Sequence, residues 1–478
     1  MPALSRLLGD SALERSADTV RSENMTYRNN KCATHRDGVL ALARAIYATA
    51  FLCVASFGAA AAPPPFQRFN DSLKAFTRGA ADNFETYMAL RHLYAEIDPP
   101  HRNYAAQMLS MYDAMNGRYE DADIHFRESF PGATKPRSCP IDGYRSVPLK
   151  EAITSVALDS RVLMINESHS EIGTRALILR MLPILRKAGF RNVAFEALAG
   201  PKDMPGWVAG ASVLPLDDRD LVTRGYPLDS NQAGFYLREP VFGELIRHSI
   251  QLGFNLVAYD PRNFSSRDDR EEKEARNLKA FLDEHPHERL LVIAGYSHIW
   301  KTGGWMADRL RTMGDYKITS VDQIDGWGGC EGTTWSKSYP FVFMSRSSNS
   351  EYWAYKKGTD VTVLNLMNNQ RGARTSWLSL NGFRRKVTLP GSVCNGLAPC
   401  LVSATYILES ADAVPADRLF VLEGEKPILY LRPNTYRLTA QTGTGKLVWR
   451  LQVDQEGETL EPVETQARSH RNPLKNSR

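Results

Sequence analysis

Between Leu149 and Gln323, short apolar runs alternate with helix-length segments, and few architectures accommodate that alternation. The apolar runs are Val162–Ile165, Val193–Phe195, Asn255–Tyr259, Leu290–Ala294 and Lys317–Val321. The segments around them, Leu149–Leu158, Thr174–Ala188, Pro240–Leu252, Asp269–His285 and Gly303–Arg311, have helical length and patterning. Continuous apolar runs of this length suit strands covered on both faces. Strand–helix alternation at this spacing predicts an α/β fold, a largely parallel sheet covered by helices.

The flanks read differently. Apolar positions recur at three and four residues through Phe84, Tyr87, Met88, Leu90, Leu93 and Tyr94, which predicts an N-terminal helical segment over 63–133. Further helices are expected from about Tyr104 to Met115 and from Tyr119 to Phe130. Residues 134–148 are rich in proline and read as a linker. The central domain is assigned to 149–330, and 331–400 is an irregular and β connecting region. Residues 401–456 carry β-runs with turn signals at Gly424-Glu-Lys-Pro427 and Thr442-Gly-Thr-Gly445, which predict a small antiparallel β domain. The polar tail 457–478 is expected to be disordered.

Residues 1–62 read as a signal peptide with a leader. Arg28, Lys31, Arg36 and Arg44 precede the apolar run Ala45–Gly58, and the small residues Ala59–Ala62 follow. Met25 is an alternative start. The run is short for a membrane span, so no span is expected after cleavage, and the protein is expected to be periplasmic or secreted. Cleavage would remove 7 Lys/Arg and 5 Asp/Glu, lowering the net charge from +5 to +3. Scattered basic residues and this small charge give no footprint for nucleic acid. Cys139, Cys330, Cys394 and Cys400 would remain, compatible with two disulfides in an oxidising compartment. Cys394–Cys400 is the local pairing and Cys139–Cys330 would close the central domain, with other pairings left open.

Chemistry concentrates where the apolar runs end. Ligands of open α/β sheets lie outside the carboxyl ends of the strands. Glu167 and His169 end the first run, Glu196 follows the second, and His298 lies in Gly295-Tyr-Ser-His298 after the fourth. Asp260 and Arg262 close the third. Strand ends about 4.8 Å apart would let these side chains converge. Two uses follow. A histidine could take a proton from water while a carboxylate orients it. Alternatively His169, Glu167, Glu196 and His298 could bind a divalent metal that activates the water. The excursion from Leu198 to Glu239 is long enough to form a lid or substrate wall.

Asn166-Glu-Ser-His169 resembles the Gly-Glu-x-His opening of the erythromycin esterase-like and ChaN-like group, which is related to the Tiki/TraB superfamily. Arg270-Glu-Glu-Lys-Glu-Ala-Arg-Asn277 is similar to that group's Arg-Glu-x-x-Met-Ala-x-Asn helix, with Glu274 in place of Met. Gly295-Tyr-Ser-His298, followed by Lys301, resembles its Gly-x-x-His segment. Asn166 replaces the usual Gly, and Asn tolerates positive φ, so the turn is expected to survive. The resemblance implies one pocket lined by Glu167, His169, Glu196 and His298. In it His169 would be the general base, Glu196 its partner, and His298 an oxyanion holder. Asp260, Arg262, Arg270, Asn277 and Tyr296 would support the loops or contact substrate. The expected substrate is a small molecule or peptide with an ester-like or amide-like carbonyl. The group includes haem-binding members, so a haem- or iron-binding envelope protein is a second expectation. A non-catalytic envelope scaffold is a third.

Overall fold

The structure, a computed structural model, describes residues 63–79, 81–130, 138–140, 142–199, 221–229, 235–261, 263–326, 330–331, 340–348, 350–365, 376–380 and 382–462. The expected signal peptide, Arg262, most of the 200–234 excursion and the tail beyond 462 lie outside these residues.

The central sheet contains β1 (Tyr144–Pro148), β2 (Val162–Glu167), β3 (Asn192–Ala199), β4 (Asn255–Asp260), β5 (Leu290–Gly295), β6 (Ile318–Asp322), β7 (Phe341–Ser345) and β8 (Val361–Leu364). Their order is β1-β7-β8-β6-β2-β5-β3-β4. Strands β8 to β4 in that order pair in parallel, while β7 and β1 close one edge antiparallel. Every residue of β2 and β5 is buried, as their unbroken apolar runs require. Each Leu or Ile so buried contributes about 1.5–3 kcal/mol before entropy is counted.

Connection handedness sets the layers. The chain runs from β2 through α6 (Gly173–Lys187) to β3, then through α7 (Pro240–Gln251) to β4. It returns through α8 (Arg267–Glu284) to β5 and crosses β2 through α9 (Met306–Met313) to reach β6. Right-handed crossovers that reverse direction must change face. Accordingly α5 (Leu149–Asp159), α6 and α7 pack side by side, and α8 packs on α9. The neighbours β2 and β5 therefore send their connections to opposite faces, which opens a crevice between their carboxyl ends.

The N-terminal segment forms α1 (Pro65–Thr77), α2 (Asn83–Tyr94), α3 (Pro99–Met115) and α4 (Tyr119–Ser129). Helix α3 begins five residues before the expected Tyr104, because Pro99 and Pro100 occupy a first turn that needs no N–H donor. The C-terminal region is an antiparallel sheet of β10 (Cys400–Tyr406), β11 (Asp417–Val421), β13 (Asn434–Thr442), β14 (Gly445–Val453) and β15 (Glu458–Pro462), in the order β11-β10-β13-β14-β15. Beside it β9 (Arg385–Thr388) pairs with β12 (Ile428–Leu431).

Several boundaries move. The expected linker contains β1, because β7 leaves an edge that Tyr144–Pro148 covers. The central sheet extends past residue 330 through β7 and β8, and β9 serves the C-terminal region. The connecting region is thus divided between two sheets. The expected tail begins with β15, paired to β14. These flanks are also not separate bodies. Phe420 of β11 packs on Phe84 and Tyr87 of α2, with ring centroids 5.9 and 4.8 Å apart. Glu244 of α7 is buried among Arg247, Arg384 and Arg432, joining the central layer to the C-terminal region. Both expected disulfides form, Cys139–Cys330 and Cys394–Cys400. Among the described residues no helix is long and apolar enough to cross a membrane.

Candidate active site

Glu167 is the last residue of β2 rather than part of the following loop, and His169 turns back beside it, with Nε2 3.3 Å from Glu167 Oε1. Asn166 does not supply a left-handed turn. It stays in the strand, and its side chain ties three strand ends together. Nδ2 donates to Tyr296 O at 3.0 Å and to Asp322 Oδ1 at 2.8 Å, while Oδ1 accepts from Gln323 N at 2.8 Å. The left-handed residue is instead Tyr296, at φ +41°. Its carbonyl is held by Asn166, which is how an aromatic residue keeps a conformation it rarely adopts. That turn aims His298 back over the sheet.

Glu196 lies within β3, not after it, where the pairing to β4 shifts between Phe195 and Ala199. It is the hub. Oε1 accepts from Arg270 Nη2 at 2.7 Å and lies 3.6 Å from His298 Nε2. Oε2 accepts the N–H of Gly295. A methyl group at position 295 would stand 2.5 Å from His169 Nε2 and 3.0 Å from Glu196 Oε2. Gly295 is therefore what lets imidazole and carboxylate share the end of β5. Gly295→Ala should displace both groups and cost about 1–3 kcal/mol, the usual range for overpacking. Urea unfolding measures it, and a loss below about 0.5 kcal/mol would show that the space is larger than drawn.

The structure thus brings Glu167, His169, Glu196 and His298 together. Glu167, Glu196 and His298 are buried and His169 is nearly so, their side chains 4–10% exposed. Arg270 joins them, reaching Asp260 Oδ1 at 3.0 Å and Glu274 Oε1 at 3.0 Å as well as Glu196. Asn277 does not face the site. Its Nδ2 donates to Tyr259 O at 2.7 Å and braces β4. Lys301 pairs with Asp360 at 2.5 Å and also stands apart. The expected metal set is not assembled. Among the described residues, the trio with donor atoms mutually within 4.8 Å is Glu271, Glu274 and His298.

Several site residues were not found from the sequence. Arg175 of α6 donates to Glu167 Oε2 at 2.7 Å and lies 3.4 Å from Glu239 Oε2. Tyr236 packs tilted against the His169 ring, centroids 4.0 Å apart, so the excursion does wall the site. Tyr119 OH donates to Glu239 at 3.1 Å and Phe126 stacks on Tyr296 at 6.4 Å, so α4 covers the same face. Glu271 and Glu274 carried a readable signal. The apolar face Leu278, Phe281, Leu282 continues backwards through Ala275 onto Glu274, Glu271 and Arg270, all buried.

The electrostatics separate the two histidines. Burial pushes the His169 imidazole below its ordinary value, against the opposing pull of Glu167 and Glu196. Burial alone would also lower His298, but Glu271, Glu274 and Glu196 outweigh it and hold His298 well above the ordinary value. Burial would raise Glu196, yet His298, Arg270 and His169 keep its carboxyl far below the usual range. Asp260 moves the other way, pushed well up by burial despite Arg270. At neutral pH the site thus holds a neutral imidazole, an ionised carboxylate and an imidazolium in sequence.

No protein-family model matches the chain, and no curated protein does. Among solved structures, one match is RRSP, a MARTX toxin effector domain from Vibrio vulnificus CMCP6, at 14% identity and TM-score 0.27, covering 59% of this chain and 57% of that one. Another is the C-terminal region of Pasteurella multocida toxin, described as holding a thiol-protease-like catalytic triad, at 11% identity and TM-score 0.26, covering 79% of this chain and 58% of that one. The chain spans little more than half of each, and at these scores the likeness carries no argument about fold or chemistry.

Proposed function

We propose that this chain is an exported hydrolase that activates water against an ester-like or amide-like carbonyl, as its resemblance to the erythromycin esterase-like and ChaN-like group implies. One observation carries the reading. Two largely enclosed histidines flank one anchored carboxylate, and their surroundings push them in opposite directions. Such divergence is how a site assigns a base and an acid at one pH.

In this reading a water proton passes to His169 Nε2, which lacks a hydrogen-bond partner. The water oxygen bonds to the carbonyl carbon, and Glu167 and Glu196 stabilise the imidazolium so formed. Arg270 and the Gly295 N–H keep Glu196 ionised and in place. His298 presents Nε2–H as the donor to the developing oxyanion or to the leaving group. The two disulfides suit the oxidising compartment of an exported protein. The haem expectation finds no matching feature.

A panel of chromogenic esters and amides offered to the full chain tests the proposal. His169→Gln should lower turnover by about 100-fold or more, as expected for removal of a general base, with the circular dichroism spectrum intact. Unchanged turnover sinks the role. In the ion-free chain, activity should fall as acid protonates His169, at a pH below its ordinary value. It should fall again in alkali as His298 loses its proton, above its ordinary value. NMR titration of the two imidazoles reads the same order independently, and coincident titrations near the free-histidine value would contradict it.

A further inference from the structure

We propose that Glu271, Glu274 and His298 form a binding site for a divalent first-row transition ion, with His298 Nδ1 and one oxygen from each glutamate as ligands. The trio is built as a cradle rather than as a loose acidic patch. Glu271 Oε2 is anchored by the N–H of Met306 at 2.7 Å. Its Oε1, which has no hydrogen-bond partner, stands 3.0 Å from His298 Nδ1. Glu274 Oε1 lies 3.0 Å from Arg270 Nε as an ion pair, without a hydrogen bond. Its Oε2, again without a hydrogen-bond partner, stands 3.2 Å from the same Nδ1. Both carboxylates therefore bring an oxygen without a hydrogen-bond partner to one imidazole nitrogen, which also lies 3.0 Å from Glu271 Oε2. All three residues are buried, Glu271 at 1%, Glu274 at 0% and His298 at 6% exposure.

Donor spacing and charge agree with an ion. Ligands about 2.0–2.2 Å from a tetrahedral zinc lie about 3.3–3.6 Å from one another, and the two imidazole–carboxylate spacings, 3.0 and 3.2 Å, fall a few tenths of an ångström short of that range. With His298 neutral, Glu196, Glu271 and Glu274 face Arg270 as the nearby fixed cation, and a divalent ion would balance the excess charge. One imidazole and two carboxylates suit zinc or manganese rather than a soft ion. Binding at Nδ1 leaves the proton on Nε2, so the ion would fix the tautomer that the proposed function uses. The placement of the ion does not depend on that function.

The test uses the full chain without a histidine tag, disulfides formed, stripped with EDTA. It is titrated with ZnCl2 by calorimetry and with CoCl2 by visible absorption. One ion per chain is expected, with ligand-field bands from cobalt. Glu274→Met and the near-isosteric Glu271→Gln should each weaken binding by at least about 100-fold, beyond the about 10–100-fold cost of losing an outer hydrogen-bond partner. His169→Gln should bind as the unaltered chain does. If Glu274→Met fails to fold, Glu271→Gln carries the same test. No binding by the unaltered chain up to about 1 mM, binding that survives in folded Glu271→Gln, or binding lost with His169→Gln would each overturn the site. Heat and absorption report binding without turnover, so failure here leaves the hydrolase reading untouched, and an inactive protein could still bind the ion.

Discussion

Replacing Arg175 with Met is expected to destabilise the chain by about 3–5 kcal/mol, the range for removing one partner of a buried ion pair. Arg175 is 1% exposed, and its guanidinium lies 5.0 Å from the Phe242 ring centroid, in surroundings where water cannot replace it. Glu239 keeps the N–H groups of Val241 and Phe242, each at 2.8 Å. Glu167 accepts no backbone N–H among the described residues and faces His169 at 3.3 Å, so it bears the uncompensated charge. The sign with pH follows. The deficit should be largest near neutral pH and should narrow in acid, where carboxylates take up protons and the charge disappears. Urea unfolding of both proteins at neutral and acidic pH measures it. A difference under about 1 kcal/mol at neutral pH would mean that water reaches Glu167. Adding Glu167→Gln to Arg175→Met should recover part of the loss, because the charge is then gone from both sides.

The second large effect concerns the covalent tie. Opening Cys139–Cys330 should cost about 2–5 kcal/mol, the range for removing a native disulfide. Opening Cys394–Cys400 should cost less. The two bridges span sequence separations of 191 and 6 residues. In the chain-entropy account the cost of a loop grows with the logarithm of its length, which sets the two about 3 kcal/mol apart. The long bridge also carries packing, since Cys330 belongs to a cluster with Phe341, Phe343 and Leu364, on β7 and β8. Paired Cys→Ala variants compared by urea unfolding test the order. Equal losses would show that the unfolded chain is already compact between 139 and 330.

Much of the site was legible because strand ends are legible. An apolar run that stops at Glu167, or at Gly295 before His298, marks both a strand and its carboxyl end. The topological rule then brings these ends to one crevice. Glu196 was found on the same signal, although it lies inside β3. Arg270 was found from its helix, yet its partners were not, since a charged helix reads as solvated unless its apolar face is followed backwards onto Glu274 and Glu271. Asn166 and Tyr296 exchanged roles. Composition points to Asn for a left-handed turn, but Asn166 is worth more as a hydrogen-bonding bracket between strands, and that bracket holds Tyr296 at φ +41°.

The sequence by itself determined the α/β alternation and marked Glu167, His169, Glu196 and His298 as groups at the strand ends. Each depends on local patterning or on a general rule of chain connection. Only the tertiary structure decided the joining of β7 and β8 to the central sheet, the cover of α4 and Tyr236 over the strand ends, and the opposite directions in which the two histidines are pushed. These depend on contacts between separate elements of the chain, such as Tyr119 with Glu239. They depend also on burial, which sets the local dielectric and so whether an imidazole keeps its proton. No window of sequence contains that information.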